Sequence, residues 1–242
     1  MRSIRIYEPG NYSSGQTLEL SEGASRHVAL VLRMQPGEAL TLFCGDNQEF
    51  YATISMILKK KVIVTIQSQE LVDRESACTI RLGQAIAKGD RMDWVIQKAV
   101  ELGVSSITPV ITSRCAVRLD ADKLMKKQFQ WQAIAISACE QCGRNKIPTI
   151  HQPLSLAHFV KQCQAAYRLV LDPYAKITWH DFDAAARDVA LLIGPEGGLS
   201  EEEIQQARSN HFHSWRLGPR VLRTETAAIA GITLLQSVIG DL

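Results

Sequence analysis

The chain has 242 residues, 46% of them hydrophobic, and its 27 Lys and Arg against 25 Asp and Glu leave a formal charge of +2. This composition excludes a disordered or fibrous polymer and suits one large domain or two small ones around a full core. Near-neutrality excludes a uniformly basic polyanion binder, so any nucleic-acid surface must gather its positive charge on one face. Met1-Arg2-Ser3-Ile4-Arg5 leads into a strand-like segment without the apolar stretch of a signal peptide, and no apolar run approaches a membrane span. A cytoplasmic protein with no membrane partner is therefore expected. The cysteines at 44, 78, 115, 139, 142 and 163 follow no regular framework, as befits a reducing compartment. Cys139-Glu140-Gln141-Cys142 lacks the second cysteine or histidine pair that zinc requires, and it closes a helix where a thioredoxin-like motif would open one. No metal is expected.

Residues 1–72 read mainly as short strands at 4–7, 17–20, 38–43, 50–57 and 62–67, with one helix over 21–32. Pro36-Gly37, Gly45-Asp46-Asn47 and Lys59-Lys60-Lys61 supply the turns. This is the composition of a small β-barrel. Arg2, Arg5, Arg26 and Arg33 lie close together here; solvated surface charge explains each as readily as a ligand does. The lysine run suits a hairpin tip kept soluble.

Asp73-Arg74-Glu75 makes a short charged link, after which strands and amphipathic helices alternate. A strand over 79–87 precedes a helix capped by Asp90, whose Met92, Val95, Ile96, Ala99, Val100 and Leu102 recur at the helical period until Gly103 ends it. A strand at 106–111, a long helix at 121–142, a shorter one at 156–163 and a strand at 168–171 ending in Asp172-Pro173 follow. Repeated β-α alternation of this kind specifies an α/β fold with a parallel sheet covered on both faces.

Two runs near the C-terminus stand out. The apolar strand 189–193 empties into Gly194-Pro195-Glu196-Gly197-Gly198-Leu199, and a helix starts beyond Ser200, which has Glu203 at capping-box spacing. Strand 213–217 likewise ends in Gly218-Pro219, and a small-residue helix starts near Thr224. The glycines permit positive φ and close approach of a ligand to the backbone. Glu196, Arg220, Arg223 and Glu225 put charge where plain strand-to-helix connections would prefer none. Ligands of open α/β sheets gather beyond the carboxyl ends of strands, where Leu171, Gly194 and Gly218 lie. Neither a Gly-x-Gly-x-x-Gly fingerprint nor a P-loop is present, which removes support for hydride and phosphoryl transfer.

Gly-Pro-Glu-Gly-Gly-Leu-Ser at 194–200 followed by Leu-Gly-Pro-Arg-Val-Leu-Arg-Thr-Glu-Thr-Ala at 217–227 resembles the paired cofactor loops of the SPOUT methyltransferases, specifically the 16S rRNA uracil-N3 methyltransferase family. Arg5-Ile6-Tyr7, His27 with Val31-Leu32-Arg33, Gln97-Lys98 with Glu101-Leu102-Gly103, and Glu140-Gln141-Cys142-Gly143-Arg144 also fit that family, so the resemblance covers nearly the whole chain. It implies a PUA-like RNA-binding β-barrel over 1–72 and a SPOUT methyltransferase domain over 73–242, whose C-terminal segment forms a trefoil knot. It further implies that S-adenosylmethionine lies bent in the knot. Main-chain groups around Leu217, Val221 and Leu222 would hold adenine, Gly194, Gly198 and Gly218 would allow close approach, and Leu171 would wall one side, with Ile193, Glu196 and Ala227 completing the pocket.

Methyl transfer asks the protein for alignment and for removal of the acceptor's proton, because the sulfonium already activates the methyl group. The uracil N3 proton lies in the base-pairing edge, so the base must be unpaired, and an arginine fork can stabilise the anion that forms. Arg223 and Glu225 match the family's motif for this work, and Glu196 is expected to bond Arg220 or Arg223. A structural ion pair explains Glu196 and Arg220 equally well. Arg5, Arg33 and Arg144 are expected at the RNA, and Lys88, Lys98 and Arg114 along the approach. The implied partners are 16S rRNA in the small ribosomal subunit and a second copy of the chain. The small-residue run 226–232 suits helix packing in a homodimer, or equally inside one subunit. The alternatives are a non-catalytic RNA-binding assembly factor on this fold, and a Rossmann-like methyltransferase, whose N-terminal Gly-rich turn is absent here.

Overall fold

A computed structural model describes residues 4–59, 61–115, 121–178 and 185–242; Arg2 and Lys60 lie outside the described residues. The chain divides into two compact units, Met1–Glu75 with Cys139–Ile147, and Ser76–Ala138 with Pro148–Leu242. A contiguous division at residue 72 does not include the 139–147 segment in the first unit.

The first unit is a five-stranded sheet of β1 (Arg5–Tyr7), β2 (Thr17–Glu19), β3 (Ala39–Phe43), β4 (Gln48–Leu58) and β5 (Lys61–Leu71), in the order β1-β3-β4-β5-β2. β1 runs parallel to β3, and the other pairs are antiparallel. Alternation along β5 sends Val62, Val64 and Ile66 into a core shared with Ile6, Leu40, Leu42, Phe50 and Ile54. The register of β4 on β5 shifts at Tyr51/Ala52 and again at Ile54/Met56, as at a β-bulge. The helix expected over 21–32 is two pieces. α1 (Glu22–Arg26) starts at Ser21, whose hydroxyl accepts from the Ala24 N–H, and a π-helical turn (His27–Val31) continues it, with the Leu32 N–H reaching the His27 carbonyl. Arg33 follows at φ 55°, a left-handed conformation uncommon outside glycine.

The second unit is built on a seven-stranded sheet: β6 (Thr79–Ala85), β7 (Ser106–Ile111), β8 (Thr149–Ile150), β9 (Leu154–Ser155), β10 (Tyr167–Leu171), β11 (Asp188–Ile193) and β12 (His213–Trp215). The order is β12-β10-β11-β6-β7-β8, β9 also pairs with β7, and each of these pairings is parallel. The parallel sheet read from the alternation is present; the two-residue strands β8 and β9 are too short to carry a pattern. β11 is central, and Val189 to Ile193 are all buried, as an apolar run in a doubly covered strand should be. Helices α2 (Arg91–Glu101), α3 (Ala121–Cys142), α4 (Leu156–Gln162), α5 (Glu201–Ser209) and α6 (Thr224–Ile239) connect and cover the strands. On α2 the buried residues are Met92, Val95, Ile96, Ala99 and Val100, one face at the helical period. α5 carries the expected capping box: the Ser200 hydroxyl accepts from the Glu203 N–H, and the Glu203 carboxylate accepts from the Ser200 N–H. α6 packs against α2 and β11, and a Cβ on Gly231 would lie 3.0 Å from Leu191 Cδ2, so helix and sheet approach through a missing side chain. Among the described residues, no helix is long and apolar enough to cross a membrane.

Candidate active site

The exits of β10, β11 and β12 converge on one cavity of about 530 Å³, a size suited to a small molecule. β10 contributes Leu171; the turn after β11 contributes Ile193, Gly194, Glu196 and Gly198; the segment after β12 contributes Leu217, Gly218, Val221 and Leu222; α6 adds Ala227. Every residue assigned to the cofactor from the sequence is therefore in this wall.

The glycines serve different needs. Gly198 has φ 68°, its N–H closes a turn onto the Pro195 carbonyl at 2.9 Å, and a Cβ there would meet no atom within 4 Å. At Gly194 a Cβ would lie 3.0 Å from Leu199 Cγ and 3.1 Å from Leu199 N, so a side chain there would press on Leu199 and the loop. Arg114, also in the cavity wall, holds this loop: its Nη1 donates to the carbonyls of Gly197 at 3.0 Å and Leu199 at 3.4 Å. Thr224 fastens the two runs together: its hydroxyl donates to the Gly194 carbonyl at 2.7 Å and accepts from Gln84 Nε2 at 2.9 Å.

Glu196 pairs with neither Arg220 nor Arg223. Its Oε1 accepts from the Lys88 N–H at 2.9 Å and from Arg91 Nη1 at 2.8 Å, because β11 lies beside β6 and its exit meets the turn that starts α2. Burial pushes the Glu196 carboxyl up, but the hydrogen bonds from Lys88, its own backbone and Arg91 outweigh this and hold it below the usual range. Arg91 Nε also lies 3.9 Å from Glu225 Oε1, while Glu225 Oε2 is buried without a hydrogen-bond partner among the described residues. Arg223 and Glu225 are not in the cavity wall, although Leu222 and Thr224 are. Arg223 is exposed, caps α6 without a side-chain hydrogen bond, and forms no ion pair among the described residues.

These positions can be set beside known proteins. The family of the RNA methyltransferase domain matches residues 74–236, and that of the RNA methyltransferase PUA domain matches residues 20–67. The chain belongs to the RNA methyltransferase family. It is 38% identical over 245 residues to the ribosomal RNA small subunit methyltransferase E of Buchnera aphidicola, covering 100% of this chain and 98% of that one. The structure resembles that of a Legionella pneumophila protein assigned as a methyltransferase, solved with S-adenosylmethionine (TM-score 0.98, 54% identity, 100% of both chains). It also resembles the S-adenosylmethionine-bound ribosomal RNA small subunit methyltransferase E of Neisseria gonorrhoeae (TM-score 0.92, 37% identity, 100% of both chains).

The arginines expected at the RNA fare differently in this RNA methyltransferase. Arg33 is exposed. Arg5 is largely buried, bonded to Glu49, the Arg144 carbonyl and Asn145 Oδ1, and Arg144 is 5% exposed with its guanidinium on both oxygens of Glu75. Both cations are thus taken up inside the first unit, where Glu49 also accepts from Arg74 and Asn145. Lys98 is bonded to Glu101, three residues along its own helix, and only the backbone of Lys88 reaches Glu196. The bonds made by Arg91, Thr224 and Gln84 leave no mark in the sequence. Their partners lie 105, 30 and 140 residues away, beyond any local pattern.

Proposed function

We propose that the protein transfers the methyl group of S-adenosylmethionine to N3 of a specific uridine in 16S rRNA of the small ribosomal subunit. The observation that carries this reading is the convergence of the two motif loops and Leu171 on one cavity, with the open side of Gly198 and Gly218 available for close approach. When bound, S-adenosylmethionine supplies a methyl group already activated on its sulfonium. The chain supplies orientation. Backbone groups of 217–222 hold the adenine, and Glu196, kept ionised by Arg91 and the Lys88 N–H, fixes the glycine-rich turn. With the cofactor bound, N3 would bond to the methyl carbon as its proton passes to solvent water, the C–S electron pair remaining on sulfur. Arg223 stabilises the negative charge developing on the uracil carbonyl oxygens, and Glu225, whose Oε1 lies 3.9 Å from Arg91 Nε, is the second charged group of the motif.

The C-terminal segment is threaded as a trefoil knot, a reading supported by the Thr224–Gly194 bond that holds the start of α6 to the turn after β11. The first unit is a PUA-like β-barrel that binds RNA, a reading supported by the register shifts between β4 and β5 and by the exposed Arg26 and Arg33. Residues 1–72 serve RNA binding and residues 73–242 the methyl transfer, with 139–147 of the latter packed in the first compact unit. The active form is a cytoplasmic homodimer. Titrating S-adenosylmethionine by calorimetry while following transfer of a labelled methyl group to small subunits tests the reading. Cofactor binding with methyl transfer supports it, and RNA binding without cofactor binding would favour a non-catalytic assembly factor.

A further inference from the structure

Among the described residues, the two most exposed large apolar side chains are Tyr174, at 88%, and Val221, at 76%, and both line the one cavity already described. Exposed apolar surface at the rim of a pocket marks a contact that a ligand completes. The ring of Tyr174 stands on a fixed turn. Its N–H donates to Asp172 Oδ1 at 2.9 Å, the Ala175 N–H donates to the Asp172 carbonyl at 3.1 Å, and Ala175 is buried. The other carboxylate oxygen, Asp172 Oδ2, accepts from Arg208 Nη2 at 3.1 Å, and Arg208 Nε donates to Ser214 Oγ at 2.9 Å. The aromatic side chain is thus presented to solvent by a turn anchored on α5 and β12.

An aromatic face, an aliphatic side chain and the exposed guanidinium of Arg220 in one rim match a planar base attached to a phosphate. Unstacked bases are held by aromatic faces with cations on the backbone, and such stacking tolerates any base. Building on the reading of the protein as an rRNA methyltransferase, we infer that Tyr174 and Val221 hold the face of the unpaired target base at the cavity mouth. Arg220 takes its phosphate. The cofactor's adenine is the other planar group in reach, so the test measures both.

The experiment compares Tyr174→Ala and Tyr174→Phe with the parent. Methyl transfer is measured against small-subunit concentration, S-adenosylmethionine affinity by calorimetry, and affinity for a uridine-containing single-stranded RNA by fluorescence anisotropy. Losing one base stack should lower kcat/KM for RNA and the RNA affinity by roughly 5- to 150-fold in the alanine variant. The phenylalanine variant should match the parent, and cofactor affinity should be unchanged in both. An alanine variant with parental RNA kinetics and binding overturns the inference, as does a phenylalanine variant as impaired as alanine. A matching loss of cofactor affinity also overturns it, by giving the ring to adenine. If the parent binds RNA through Tyr174 but transfers no methyl group, the inference stands and the assigned reaction fails. A parent that neither binds nor methylates RNA overturns both.

Discussion

The Thr224 hydroxyl donates to the Gly194 carbonyl at 2.7 Å, so the first residue of α6 is fastened to the exit of β11 on the cavity wall. Thr224 is buried, and Gln84, fully buried, donates to it in turn. Thr224→Val keeps the shape but removes the donor to Gly194 and the acceptor for Gln84. Unmade buried hydrogen bonds cost about 1–3 kcal/mol each. Urea denaturation should show a loss of that order, with weaker cofactor binding by calorimetry, and Thr224→Ser should restore both. A valine variant with parental stability and affinity would show that the bond contributes neither.

The two loop glycines, Gly194 and Gly218, should fail differently. A side chain at Gly194 runs into Leu199, whereas a Cβ at Gly218 meets no protein atom within 4 Å. Gly194→Val should lower melting temperature and cofactor affinity together. Gly218→Val should lower affinity out of proportion to melting, although φ 155° adds some strain to any replacement there. Equal ratios of the two losses would contradict a cavity-facing role for Gly218.

Arg223→Lys keeps the charge and loses the planar fork. Since Glu196 is bonded to Arg91 and Glu225 lies 3.9 Å from Arg91, Arg223 has no ion pair to lose among the described residues, and the variant should melt like the parent. Turnover should fall by roughly 10²- to 10³-fold, as when one donor to developing charge is removed. Raising the pH should recover part of the rate, because more of the imide is then already ionised. Single-turnover rates across pH decide this; parental turnover, or a loss that comes with unfolding, would remove Arg223 from catalysis.

Glu49 gives the first unit a pH dependence. Burial pushes its carboxyl up, but hydrogen bonds from Arg74, Arg5 and Asn145 outweigh this and hold it below the ordinary carboxylate value. A depressed folded-state value gives stability that is present above the unfolded carboxylate value of about 4.3 and is lost as pH falls through the folded one. Breaking a buried pair from one side costs about 3–5 kcal/mol. Glu49→Gln should therefore destabilise by that order at neutral pH, with the gap to the parent closing at strongly acid pH. A gap that stays constant in pH-dependent melting would rule out ionisation of Glu49 as its source.

What was legible in the chain was local. The Ser200–Glu203 cap closes over three residues, the buried run 189–193 is continuous, and the face of α2 repeats at the helical period, so each was visible without its neighbours. Two of the three strand exits on the cavity wall were legible from their glycines, at Gly194 and Gly218, and the remaining wall residues from the family resemblance. Arg91 on Glu196 was not, since it depends on β11 pairing with β6, which sequence order does not imply. Arg5 and Arg144 looked like RNA contacts for the same reason: Glu49 and Glu75, which take their charge, are 44 and 69 residues away. The π-helical turn at 27–31 keeps the same apolar spacing as an ordinary helix and leaves no mark in composition.

The central claim is methyl transfer to one uracil nitrogen of small-subunit rRNA. Small subunits lacking the modification, incubated with the protein and isotopically labelled S-adenosylmethionine, can be digested and their 16S rRNA nucleotides mapped by mass spectrometry. The account predicts the label at a single position, as N3-methyluridine, with no transfer when cofactor is omitted. Label on another atom, another base or many positions, or none on subunits that the protein binds, would contradict it.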